Sequence, residues 1–162
     1  MMQLMRDNLA LNQSQVPLRD PCHVAELNWG EPVPAQEDAT SVPSRPDVLL
    51  LADCVYLEIA FQPLVDTLVL LSGRTKPNVA PSSAAAATVP PPPEILFCYQ
   101  KRRKADKRFF VLLKKAGFEF DHVDDDDPER AEAYRRQGTS LLRLFPRGRR
   151  TKQDQTLAAR AS

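Results

Sequence analysis

Net charge of either sign is nearly missing from this chain: 22 Lys and Arg stand against 21 Asp and Glu in 162 residues. The balance removes any whole-chain attraction to a polyanion and leaves only local patches to consider. Cysteine is scarce too. Cys22, Cys54 and Cys98 are odd in number, far apart and without a C-x-x-C pair. That argues against a disulfide framework or a zinc site and suits a reducing compartment. No apolar run approaches the roughly 20 residues of a membrane-spanning helix. The opening MMQLMRDNLALN has neither the long apolar region nor the small-residue cleavage site of a signal peptide. The expectation is a cytoplasmic, monomeric chain with no membrane and no nucleic-acid partner.

What is present is 43% hydrophobic residues, enough for a core. Met2 to Leu11 reads as an amphipathic helix and His23 to Asn28 as a short strand closed by Trp29-Gly30. Asp47 to Ala52, DVLLLA, is a continuous apolar run of the kind a buried parallel strand shows when helices cover both its faces. Ala60 to Leu71 is a helix with Leu64, Val65, Leu68 and Leu71 on one stripe; Pro63 is tolerable there only in the first turn. Residues 73–93 are low-complexity Ala, Ser and Pro, read as a flexible insertion. Glu94 to Tyr99 is a second apolar strand, Ala105 to Lys115 a helix, and Phe118 to Val123 an alternating strand. An acidic loop over Asp124 to Arg130, a helical turn over Ala131 to Gln137 and a strand over Thr139 to Phe145 follow. Residues 147–162 read as a disordered basic tail.

Alternating strands and helices predict an α/β sheet, largely parallel, ending in an antiparallel strand pair. The count is five strands, and the first follows a helix with no earlier strand to cross from. Ligands of open α/β sheets bind beyond the carboxyl ends of the strands. There the sequence puts Asn28-Trp29-Gly30-Glu31, then Ala52-Asp53-Cys54-Val55-Tyr56, then Gln100-Lys101-Arg102-Arg103-Lys104. A lone tryptophan, an acid with a tyrosine three residues on, and a cationic cluster would share one rim.

These residues carry a resemblance. Asn8-Leu9-Ala10-Leu11-Asn12, Leu27-Asn28-Trp29-Gly30, the strand Asp47 to Ala52 with its D-x-x-Y continuation Asp53 to Tyr56, and EILFCYQKRRKADKRFF over 94–110 look like the family 16 protein-lysine methyltransferases. The likeness is greatest to the fungal branch that methylates a lysine of translation elongation factor 1-alpha. It runs from Met1 to about Phe145, interrupted at 73–93. D-x-x-Y alone is a weak signal; the ordered set at successive strand ends is fairly specific.

The resemblance implies a class I, Rossmann-like methyltransferase domain over 1–146 that uses S-adenosylmethionine. Trp29 would line the adenine pocket and Ala52 would touch the cofactor at the strand end. Asp53 would serve both cofactor and catalysis, and Tyr56 would face the incoming lysine. Two departures stand out. The family's glycine-rich loop and the acid ending its second strand have no counterpart, so the chain reads as an N-terminally truncated domain lacking the first two strands, with compromised cofactor binding. Asn28 also replaces an Asp.

Other features have plainer readings. Lys101 to Arg108 is expected to be a solvated helix start, with a partner-docking surface as the alternative. Asp124 to Asp127 lacks the spacing and glycine of a calcium loop. His23 and His122 have no partner at metal-ligand spacing, so no metal is expected. The cysteines are expected to be small buried hydrophobes, Cys98 above all. The competing functional reading is a non-catalytic remnant that binds a partner through the basic cluster.

Overall fold

The computed structural model describes residues 1–12, 22–33, 42–43, 45–73 and 91–147. The expectations for most of the 73–93 insertion and for the tail beyond Arg147 lie outside the described residues. Four helices and four strands are described: α1 (Met2–Asn12), β1 (Val48–Ala52), α2 (Phe61–Leu71), β2 (Glu94–Gln100), α3 (Lys107–Lys115), β3 (Phe118–His122), α4 (Pro128–Gln137) and β4 (Thr139–Pro146). The sheet order is β1-β2-β4-β3. β1 pairs parallel to β2 with Ala52 opposite Cys98. β4 slots between β2 and β3, antiparallel to both. Three strands therefore point one way, but only the β1–β2 ladder is parallel. The sheet expected to be largely parallel is mixed among the described residues, because β4 inserts between β2 and β3, and the expected antiparallel pair at the C-terminal end is present.

The period-two alternation of each strand sends one set of side chains to a packed face. Leu51, Ile95, Phe97, Phe118, Leu142 and Leu144 are buried there. α2 lays Phe61, Leu64, Val65, Leu68 and Leu71 onto that face, and α3 adds Phe109 and Leu113. Phe109 holds the layers together, edge-on to Phe61 at 5.7 Å and to Phe97 at 5.8 Å. Such edge-to-face pairs set the quadrupoles of the rings in favourable contact.

The opposite face is open among the described residues, and this corrects two expectations. β1 is parallel but not buried on both sides: Leu50 is 77% exposed and Val48 50%. Cys98 is exposed rather than buried. Its neighbours Ile95 and Phe97 take the packed face, and alternation turns the cysteine to the other. Cys22 is exposed and Cys54 half-buried, so none of the three is a core residue. α1 forms where predicted, but none of its residues is buried.

Two further readings change. His23 to Asn28 is not a strand; among the described residues no ladder partner meets it, and the sheet there has four strands rather than five. α4 starts at Pro128, earlier than Ala131, because Asp127 caps it. The Asp127 carboxylate accepts from the backbone N–H of Glu129 at 3.0 Å and of Arg130 at 3.3 Å, and Pro128 fills the first helical position, where no N–H is needed. The acidic loop therefore ends as a helix start. Gly138, at φ 69°, closes the helix in the left-handed conformation.

Candidate functional site

β1, β2 and β3 all end on one edge, where β4 begins. Trp29 and Gly30 lie on a turn fastened to α2. The Gly30 N–H donates to the Thr67 hydroxyl at 2.8 Å, and that hydroxyl donates to the Pro63 carbonyl at 3.0 Å. Gly30 has φ +84°, and a Cβ there would stand 3.1 Å from Pro63 Cβ. Only glycine satisfies both the left-handed backbone and the close approach. Trp29 is half-buried against the core.

Asp53 follows β1 with its N–H still donating to the Cys98 carbonyl at 3.3 Å, one step beyond the ladder. Its φ is +52°, uncommon for a residue other than glycine though Asp is among those that tolerate it. The carboxylate is more than half exposed. Val55 then returns to the core at 3% exposure while Tyr56 stays 49% exposed. Within one loop, Asp53 and Tyr56 both stand on the surface about a buried anchor. Ala52 is exposed at the strand end. The Cys54 thiol donates to the Ala52 carbonyl at 3.3 Å. Burial raises the Cys54 pKa despite that hydrogen bond, and the Asp53 charge adds to the rise.

The basic segment is an exposed helix start, as expected, leading through a short turn into α3. Three of its arginines grip the Asp53 loop. An Arg102 Nη atom meets Asp53 Oδ2 at 2.9 Å. The Arg103 guanidinium donates to the Tyr56 carbonyl. An Arg108 Nη atom meets Glu58 Oε2 at 2.8 Å. Each contact is exposed, so each is worth about 0.2–1 kcal/mol. Their sum fixes the loop against the start of α3.

What aims the arginines is Asp106, 1% exposed. Its Oδ2 accepts from the backbone N–H of Arg102 at 3.2 Å and of Arg103 at 3.1 Å, and from the Tyr99 hydroxyl at 3.3 Å. Oδ1 is buried with no hydrogen bond and faces Arg103 Nε at 3.5 Å. Burial pushes this carboxyl up, but the two backbone donors, the Tyr99 hydroxyl and the Arg103 charge outweigh it, and the pKa lies below its ordinary value. Tyr99 shows the other side of the pair. Burial first, then the charge and hydrogen bond of Asp106, push its phenol up to about 12.

A pKa raised in the fold contributes stability that is whole below the unfolded value near 10 and is lost as pH rises towards 12. Ultraviolet titration should therefore show one phenol ionising near pH 12, and Tyr99→Phe should remove that step. An unchanged titration in the variant would place the shifted phenol elsewhere.

Along the same edge a cavity of about 480 Å³ opens among His122, Asp124, Asp125, Tyr134, Arg135 and Ser140. Asp125 is committed to Arg130, its carboxylate accepting at 2.6 Å from Nε. That hydrogen bond, with one from the Asp127 N–H, holds the Asp125 pKa down at about 2. Among the described residues no group of three His, Cys, Asp or Glu side chains is arranged to hold a metal, and no helix is long and apolar enough to cross a membrane.

The structure thus brings Asp53, Tyr56 and the basic segment into direct contact, while Trp29 joins the core from the α2 side. Asp106 and Tyr99 were missed from sequence. The available signal was Asp106 itself, a lone acid inside the basic run, four residues after Arg102 and seven after Tyr99.

Comparison with known proteins completes the picture. The sequence profile of the lysine methyltransferase family matches residues 1–116. Protein-lysine N-methyltransferase EFM6 of Saccharomyces cerevisiae is 33% identical over 146 residues, covering 88% of this chain and 50% of the yeast protein. The chain spans about half the length of that curated relative.

Proposed function

The chain belongs to the lysine methyltransferase family, and we propose that it carries the lysine-receiving side of a protein-lysine N-methyltransferase whose substrate is translation elongation factor 1-alpha. The observation that carries this reading is the Asp53–Tyr56 loop: two exposed functional side chains about a buried Val55, at the carboxyl end of β1. The choice of substrate rests on the likeness of the Asp47–Tyr56 and 94–110 stretches to the fungal branch with that target.

The family's methyl donor is S-adenosylmethionine, which when bound supplies an electrophilic methyl group. The residues present fit part of such a molecule. Trp29, half-buried, offers an aromatic face for an adenine, and Ala52 leaves the end of β1 open to close approach. Asp53 lies next in the chain.

The protein's own groups act on the lysine. An amine with reference pKa about 10.4 arrives protonated, and only its neutral form attacks. Asp53 accepts a hydrogen bond from the ammonium and aims it; the surplus proton leaves to water at this exposed edge. The Tyr56 ring narrows the approach and attracts positive charge by its quadrupole. The remaining contribution is proximity, with the reacting atoms held about 3–3.5 Å apart.

The test is methyl transfer from labelled S-adenosylmethionine to purified elongation factor 1-alpha, alongside calorimetric titration of the cofactor. Label on one lysine, and cofactor binding weakened by Trp29→Ala, are the expected results. Saturable cofactor binding with no label on the factor would reject this substrate.

A further inference from the structure

The carboxylate placed to receive a substrate cation already holds one from its own chain. Arg102 reaches Asp53 Oδ2 at 2.9 Å and is also held by Gln100, whose side-chain oxygen accepts from its guanidinium at 3.2 and 3.4 Å. An ammonium seeking the same oxygen meets a guanidinium. Their chemistry is alike: a monocation on a flexible stem, donating hydrogen bonds to a carboxylate.

We infer that Arg102 is an internal competitor for the substrate lysine, a specificity-determining residue that occupies Asp53 until a docked lysine displaces it. The inference rests on the proposed role of Asp53 and deepens it. The geometry makes displacement easy. Both side chains are about half exposed, 47% for Arg102 and 56% for Asp53, so the pair is solvent-screened and weak. Gln100 keeps a second seat for the guanidinium when Asp53 is taken.

The backbone of Arg102 does not move with its side chain. Its N–H is fixed to Asp106 Oδ2 at 3.2 Å, so the guanidinium swings from a stationary root. Arg103 does a different job, since it binds the Tyr56 carbonyl and never touches Asp53. A free lysine peptide must offset the exposed Arg102 pair to reach Asp53, so it binds the wild type a few-fold more weakly than it would without that competitor. A lysine delivered by a protein surface has other contacts to support the exchange.

The test follows the Asp53 carboxylate resonance in carbon-13 aspartate-labelled protein, at low salt. The probe is a capped glycine peptide with one central lysine, and no methyl donor is present. Arg102→Gln keeps length and hydrogen bonding but removes the charge, and should respond at about two- to five-fold lower peptide concentration than wild type, the range an exposed ion pair allows. Arg102→Lys retains a competing cation and should stay near wild type. Lys107→Gln, at an exposed position outside the loop, carries the same change in net charge and should also stay near wild type. The advantage of Arg102→Gln should fade at 1 M salt, where screening acts over about 3 Å.

Equal or weaker binding by Arg102→Gln, an equal gain in Lys107→Gln, or an Asp53 resonance that ignores the peptide in every variant would each overturn the inference. Because nothing is methylated, its fate is separate from that of the functional reading. The predicted gain without any transfer to elongation factor 1-alpha would keep the competitor and remove the proposed activity. Transfer without an Arg102 effect would do the reverse.

Discussion

Asp106→Ala should lower the free energy of unfolding by about 3 kcal/mol, the loss expected when a buried, hydrogen-bonded carboxylate leaves its partners unmatched. The substitution strips an acceptor from the backbone N–H groups of Arg102 and Arg103 and from the Tyr99 hydroxyl at once. It also leaves the Arg103 guanidinium without its buried counter-ion. Asp106→Asn retains one acceptor oxygen and should lose about half as much. The pH dependence has a fixed sign. The Asp106 pKa is depressed in the fold, so its contribution is whole above the unfolded value near 3.9 and disappears as pH falls through the folded value. The gap between wild type and Asp106→Asn in urea titrations should thus be steady at neutral pH and shrink below about pH 4. A gap under 1 kcal/mol at pH 7, or one that widens in acid, would mean that the turn is held by something else.

The turn also shows where sequence patterns stop being informative. α2 and β2 were legible because each repeats a pattern: Leu64, Val65, Leu68 and Leu71 at helical spacing, and Ile95 and Phe97 at strand spacing. Periodicity reports a face, and a face is what the core needs. It does not report what lies on the other face. DVLLLA reads as a two-sided strand, yet Leu50 is among the most exposed apolar side chains and Cys98 looks outward. Composition cannot distinguish a strand covered by two layers from one covered by one.

His23 to Asn28 failed for a related reason. Strand propensity is local, but a strand exists only when a neighbour supplies a ladder. The start of α4 failed differently, because counting Asp124 to Asp127 as one acidic run hid the cap at Asp127 followed by Pro128. The site was half legible. Asp53 and Tyr56 could be placed at a strand end from their order in the chain. The grip of Arg102 and Arg103 on them spans nearly fifty residues and depends on which rotamers a buried acid selects, which no local pattern encodes.

Asp53→Asn is the most direct probe of the proposed chemistry, and it should reduce methyl transfer by about 100-fold, the cost of a misplaced nucleophile. Asparagine is the right replacement because Asp53 sits at φ +52°. Asn shares with Asp the ability to hold a left-handed backbone, whereas alanine would add strain and confuse the readout. Stability should barely change. The carboxylate is more than half exposed and its pair with Arg102 is worth at most about 1 kcal/mol. The loop keeps Val55 in the core and Arg103 on the Tyr56 carbonyl. A large loss of rate with an unchanged melting curve would assign Asp53 to the handling of the lysine. An unchanged rate in an enzyme that methylates its substrate would show that the lysine is aimed by another group. Adding Arg102→Gln to Asp53→Asn refines the result. If Arg102 acts by competing for the Asp53 charge, its removal should improve KM in the wild-type background and do little in the variant. A benefit of equal size in both backgrounds would reveal a general charge effect and sever the link between the two residues.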